Sequence, residues 1–208
     1  MKVLNLYAGI GGNRKLWEDV EVTAVEWDEE TAKVYSDYFP DDTMIVGDAH
    51  QYLLDHFDEF DFIWSSPPCP SHSRVRMMAS KHGDYKPIFP DMTLWQQIIF
   101  LNGFCDAKYC VENVIPYYEP LIQPTKKLHR HFYWTNFRIA DYNEHEKNRI
   151  HNSIQDKDDL YGFSVADSNI KNKRKALRNM VDPALGLHIL NAARNIITKS
   201  NTEQTTLF

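Results

Sequence analysis

The stretch Phe60-Asp61-Phe62-Ile63-Trp64-Ser65-Ser66-Pro67-Pro68-Cys69 decides the fold. Phe60 to Trp64 is apolar almost without a break, as expected of a strand buried on both faces in the middle of a parallel sheet. Pro67-Pro68 then carries the chain stiffly outward, because a residue before proline is held extended. Cys69 therefore stands on the loop leaving a buried strand, where α/β proteins gather their chemistry. A cysteine that only fills a core needs no such mount, although a turn with a buried thiol is an ordinary alternative.

Outward from this stretch, strands alternate with helices. Val3 to Tyr7, Val20 to Val25 and Met44 to Val46 read as three earlier strands, with helices over Glu29 to Phe39 and Gln51 to Phe57. Tyr109 to Val111 reads as a fifth strand and Phe132 to Phe137 as a further β-type run. Leu94, Ile98, Leu101 and Cys105 fall at helical spacing. A last helix starts at Pro183, a residue suited to a helix start, and runs to Ile197 with Leu187 and Leu190 on its apolar face. Ser66 to Pro90 is long, irregular and rich in Pro, Ser and His, a length of loop usually kept for function. The pattern predicts an α/β fold with a mainly parallel sheet flanked by helices. We expect a core over residues 1–139, a very small polar insertion over 140–175, and a C-terminal helix over 176–208 that packs back beside the first strand.

Composition narrows the classes. The 208 residues are 43% hydrophobic and 13% aromatic, enough for one cored domain and too much for a disordered chain. No apolar run has the length of a membrane span, and the Met1 end enters a strand pattern without a signal peptide. Cys69, Cys105 and Cys110 lack metal-site spacing, so neither a disulfide framework nor a metal is expected. That pattern fits a reducing, cytoplasmic setting. The net charge of −6 argues against nucleic-acid binding, yet basic residues cluster at Arg74, Arg76 and Lys81, and again at Lys171, Lys173, Arg174 and Lys175. A net acidic protein can still present one basic face.

Three strand ends carry a constellation. Ala8-Gly9-Ile10-Gly11-Gly12 after the first strand lets backbone approach a ligand, a weak signal by itself. Glu26 ends the second strand about 20 residues on, where an acid takes ribose hydroxyls. Trp27 could stack on an adenine ring, and Asp48 could accept from an exocyclic amine. Each has an ordinary explanation as a solvated acid or a core-edge ring; the three together point to a nucleoside cofactor. Glu112-Asn113-Val114 ends the fifth strand, so a carboxylate faces Cys69 across neighbouring strand ends. That arrangement suits attack on a polarised ring, although Glu112 could also only cap the turn before Pro116.

In this order the segments Leu6-Tyr7-Ala8-Gly9-Ile10-Gly11-Gly12, Glu26-Trp27, Asp48, Pro68-Cys69 with Ser73, and Glu112-Asn113-Val114 resemble those of the DNA (cytosine-5)-methyltransferases, over most of the chain. Arg130-His131-Phe132-Tyr133-Trp134 resembles the family's arginine-bearing strand, and Asn179-Met180-Val181-Asp182-Pro183 its C-terminal segment. Tyr7 replaces the usual Phe, and the family's Arg-x-Arg spacing is not reproduced at His129-Arg130-His131. The resemblance implies a Rossmann-like methyltransferase fold with S-adenosylmethionine as cofactor. Its ligands would be Tyr7, Ala8, Gly9, Gly11, Gly12, Glu26, Trp27, Asp48, Pro68, Asn179 and Val181. It implies Cys69 as the nucleophile toward C6 of cytosine, Glu112 at N3, Asn113 holding the loop and Arg130 at the 2-oxo group. Ser71, Ser73, Arg74 and Arg76, with Lys171, Lys173 and Arg174, would face the nucleic acid. The implied substrate is double-stranded DNA with the cytosine flipped out, methylated by a monomer in a prokaryotic or phage-infected cytoplasm, as in restriction–modification. The small insertion leaves room for a separate recognition partner. An RNA (tRNA) cytosine-5 methyltransferase and an inactive nucleic-acid-binding protein on the same scaffold are the alternatives. An amino-methyltransferase would want an aromatic residue, not a thiol, after the prolines.

Overall fold

Seven strands join in one sheet in a computed structural model that describes residues 1–83, 86, 88–142 and 161–196. In chain order the strands are β1 (Lys2–Leu6), β2 (Glu21–Glu26), β3 (Thr43–Val46), β4 (Phe62–Ser65), β5 (Lys108–Val114), β6 (Lys126–Leu128) and β7 (His131–Thr135). The helices are α1 (Glu29–Tyr38), α2 (Ala49–His56), α3 (Arg74–Lys81), α4 (Thr93–Phe104), α5 (Lys173–Asn179) and α6 (Pro183–Ala193). Across the sheet the order is β3-β2-β1-β4-β5-β7-β6. The first five strands of that order run parallel, and β7 is antiparallel to both β5 and β6. This is the mainly parallel α/β fold expected from the strand pattern.

The order reverses at β1. The chain runs outward through β2 and β3, then returns to place β4 on the other side of β1. A crevice opens at the carboxyl ends of strands where winding reverses in this way. Val3, Ala24, Phe62 and Trp64 face α6, whose Leu185, Ile189 and Leu190 are buried against them. Leu4, Leu6, Val25 and Ile63 face the other way, toward Leu53 of α2 and Trp95, Ile98 and Leu101 of α4. The two-residue period of the strands thus fills both layers.

The structure departs from the sequence pattern at four places. The segment Ser66 to Pro90 holds α3, capped by the Ser73 side chain, which accepts from the Arg76 amide. None of its residues is buried, so no apolar stripe marked it. The described stretch after residue 160, expected as part of a polar insertion, has buried apolar residues: Phe163, Val165 and Ile170 pack against Ile10, Val34 and Leu177. The boundary expected between 175 and 176 falls inside α5, so the described part of the insertion is continuous with the C-terminal unit. The last helix ends at Ala193, with Leu185, Ile189 and Leu190 rather than Leu187 as its buried face; Ile197 lies outside the described residues. No described helix is long and apolar enough to cross a membrane.

Candidate active site

β1 delivers its turn to the crevice in strained form. Tyr7 has φ 56°, a conformation uncommon outside glycine. Its ring is held from below: the Ser65 hydroxyl donates to Gln97 Oε1 at 2.7 Å, and Gln97 Nε2 donates to the Tyr7 hydroxyl at 2.6 Å. Burial pushes the Tyr7 phenol up to about 12. The following turn is closed by the C-terminal segment. A side chain at Gly12 would meet the Val181 carbonyl at 2.5 Å, so only glycine lets Asn179 to Val181 lie against it. Gly186 of α6 seats the helix in the same way, with its α-carbon face against the Asn13 backbone.

A cleft of about 330 Å³ lies over these ends. Tyr7, Ala8, Gly9, Gly12, Glu26, Trp27, Pro68, Cys69, Lys171, Asn179 and Val181 line it, each nominated from the sequence. Asp28, Thr31, Asn172 and Lys175 also line it and were not nominated. Asp28 follows the predicted Glu26-Trp27 pair directly, a cue within reach; Lys175 belongs to the basic cluster already noted, and Thr31 and Asn172 are ordinary polar residues with no motif around them.

Glu26 is buried, and both its oxygens are engaged. Oε2 accepts from the Gly9 amide at 3.0 Å, and Oε1 accepts from the Trp27 and Asp28 amides at 3.1 Å each. Burial nonetheless outweighs these three bonds and raises its pKa. A carboxylate offers about four acceptor sites, so one remains for a ligand hydroxyl. Trp27 is 75% exposed beside it, a broad ring with one face open. Asp28 is held below the usual carboxylate range, first by the Thr31 hydroxyl and amide that it caps, then by Lys171 and Lys175.

Cys69 meets the cleft from the other side. Its carbonyl accepts from the His72 and Ser73 amides at 3.0 and 3.1 Å, closing a tight turn. Asn113 Nδ2 donates to the Pro67 carbonyl at 2.9 Å, so the β5 exit grips the double-proline mount. The thiol is pushed up, mostly by burial and then by the Glu112 carboxylate; Lys175 and Arg178 pull it back. Glu112 is buried at the end of β5, and His131 Nε2 on neighbouring β7 stands 3.4 Å from its Oε1.

Several nominated residues sit elsewhere. Asp48 caps α2, its Oδ1 accepting from the His50 and Gln51 amides, and does not line the cleft. Gly11 does not line it either. Arg130 lies exposed in the β6–β7 turn, its carbonyl accepting from Ile115, and the strand that follows brings His131 rather than Arg130 to Glu112. Ser71 is buried with its hydroxyl accepting from the Asp91 amide, and Ser73 is spent as a helix cap. Arg74 donates to the Pro116 carbonyl at 2.8 Å. Arg76 is partly buried in α3, Lys173 reaches the Ala166 carbonyl, and Arg174 is exposed. Arg149 and Asn152, further candidates for base contact, lie outside the described residues. No cluster of metal-ligating side chains occurs among the described residues.

Residues 1–99 match the family model of C-5 cytosine-specific DNA methylases. No curated protein matches the chain. Among solved structures, Entamoeba histolytica methyltransferase EhMeth is similar at 19% identity and TM-score 0.37, over 55% of this chain and 38% of that one. A mutant of Spodoptera frugiperda DNMT2 is similar at 24% identity and TM-score 0.39, over 54% of this chain and 35% of that one. The matched part thus spans little more than a third of either structure's length. A methylase takes its methyl group from S-adenosylmethionine, and the cleft fits that group on two counts. The burial-raised Glu26 carboxyl has an acceptor site left for a sugar hydroxyl, and the exposed Trp27 ring offers a face to a purine.

Proposed function

With residues 1–99 taken as a C-5 cytosine-specific DNA methylase segment, we propose that this chain transfers a methyl group to C5 of cytosine in DNA through a covalent bond from Cys69 to C6. The observation that carries the reading is that Cys69 lines the same cleft as Glu26 and Trp27. Nucleophile and cofactor pocket therefore open on one space.

C5 of cytosine is a weak nucleophile. Addition of the Cys69 thiolate at C6 breaks the ring's aromaticity and places an electron pair at C5. Glu112, as the protonated carboxyl, donates to N3 and stabilises the charge that develops there. S-adenosylmethionine supplies an electrophilic methyl group when bound. The new C5–methyl bond takes the electron pair, and the donor's methyl–sulfur bond would break to leave a neutral thioether. The C5 proton then passes to water, and the electrons of the C5–H bond re-form the double bond and expel the Cys69 thiolate. Asn113 keeps the Cys69 turn in place, and Glu26 and Trp27 hold sugar and base of the cofactor. Burial and the nearby Glu112 hold the thiol pKa above its ordinary value, so the thiol must lose its proton, to water, before it attacks. A base inside a duplex is out of reach and is flipped into the cleft.

The test is transfer of tritium from labelled S-adenosylmethionine to duplex DNA and, separately, to tRNA. Label on DNA that is lost in Cys69→Ser supports the reading, as does a denaturant-stable adduct with DNA containing 5-fluorocytosine. Label on tRNA alone would move the substrate to RNA. Wild-type transfer by Cys69→Ser would end the covalent mechanism.

A further inference from the structure

His72 lies three residues beyond the proposed nucleophile and has no part in the chemistry above. It is 1% exposed, an unusual degree of burial for an imidazole. Its Nδ1 is 2.5 Å from the Tyr118 hydroxyl, with the rings 5.9 Å apart. Its Nε2 is buried with no hydrogen-bond partner among the described residues. Backbone bonds leave it in both directions: its amide donates to the Cys69 carbonyl at 3.0 Å, and its carbonyl accepts from the Tyr117 amide at 3.2 Å. One residue on, Ser73 and Pro116 form an isolated antiparallel bridge.

We propose that His72 and Tyr118 form a latch that seats the Cys69 turn against the chain leaving β5, making His72 a positioning residue for the thiol. The proposal rests on the reading of Cys69 as nucleophile. Pro67 is gripped by Asn113 on one flank of the thiol, and His72 by Tyr118 on the other. Beside the His72–Tyr117 backbone bond and the Ser73–Pro116 bridge, these two side-chain anchors hold the flanks of the turn and narrow where the sulfur points. Of the two, only the His72 anchor can titrate. Protonation puts a charge on an Nε2 that has no acceptor and makes Nδ1 donate to an oxygen. Burial accordingly holds the imidazole below its ordinary range, opposed by Asp91. The groups facing it are Tyr118 and Asp91, with the aromatic Trp95 of α4 behind Tyr118. The sign follows. The unfolded chain takes up the proton first as pH falls, so the latch is intact above the ordinary histidine range and weakens as pH falls below it.

The test has a readout independent of methyl transfer: alkylation of Cys69 by iodoacetamide at about pH 8, followed by peptide mass spectrometry with Cys105 as internal reference. His72→Phe keeps the ring volume and removes the hydrogen bond; Tyr118→Phe removes only the hydroxyl. Each is expected to raise Cys69 alkylation at least about fivefold, the effect of one lost hydrogen bond on a local opening. The double variant should be no faster than either single, since both break one bond. Where the protein is active, kcat falls while cofactor affinity by calorimetry is unchanged. The loss of melting temperature on acidification through the histidine range should be smaller in His72→Phe. Unchanged Cys69 alkylation in both variants overturns the latch; should His72→Phe not fold, Tyr118→Phe decides alone. A wild-type protein that transfers no methyl group, while the two variants still raise Cys69 alkylation, overturns the proposed reaction and leaves the latch standing.

Discussion

Glu26 carries the electrostatic tension of the site, because burial raises its pKa despite three amide donors. A raised carboxyl keeps its proton to higher pH, and a hydroxyl donor from the cofactor favours the ionised form. Cofactor binding should therefore release a proton, and affinity should rise with pH from the ordinary glutamate range through the raised value; calorimetry in buffers of different ionisation heat reads this directly. Glu26→Ala should weaken binding at least about tenfold, since a bond to a charged group is worth roughly 1.5–3 kcal/mol. It should also lower the melting temperature, because the Gly9, Trp27 and Asp28 amides lose their acceptor. His131 and Arg130 provide a second comparison. The 3.4 Å approach of His131 to Glu112 predicts that His131→Ala lowers kcat, whereas Arg130→Ala in the exposed turn leaves it within about twofold, the usual scale of a surface change. Tritium-transfer kinetics on the two variants decide between them.

At the scale of elements, legibility followed burial. The central strands were readable because Val3, Leu4, Phe62, Ile63 and Trp64 are wholly buried, so continuous apolar runs were required. Helix α3 was not, because a helix with no buried residue has no face to betray it. β6 was missed as a three-residue edge strand whose Lys126-Lys127 reads as loop; such lysines suit an edge that must not pair further. The lining of the cleft was legible at Cys69, Glu26 and Trp27, which stand at or just past strand ends. It was opaque at His72, Lys175 and His131, whose roles depend on what the fold sets beside them. The segment after residue 160 is the clearest miss, since Phe163 and Val165 alternate over too short a run to mark an element and Ile170 stands five residues on in a polar context. Phe163→Ala is expected to cost about 3–5 kcal/mol, because Phe163 is 0% exposed and packs on Tyr38 with ring centroids 4.7 Å apart. Chemical denaturation measures the loss. The same variant should weaken cofactor binding, because Ile170 and Ala176 line the cleft from this cluster.

Across the whole molecule, the cleft joins both ends of the described chain. Gly12 touches Val181, Gly186 lies on Asn13, and Arg194 Nη2 donates to the Glu18 carbonyl at 2.6 Å. Truncation after Asn179 removes α6 and its buried Leu185, Ile189 and Leu190. It should lower the melting temperature and abolish cofactor binding together, and a truncated protein with native values for both would contradict this architecture. Methyl transfer to DNA should also fall steeply with salt, since Lys171, Arg174 and Lys175 are exposed at or beside the mouth of the cleft and phosphate contacts release counterions. The Gly12–Val181 contact bears on biosynthesis as well. The glycine turn leaves the ribosome long before its partner has been translated, so a nascent chain can assemble β1 to β5 and still lack one wall of its pocket. Cofactor capture then waits on synthesis of the segment around Val181, and a chain that stops short of it lacks that wall.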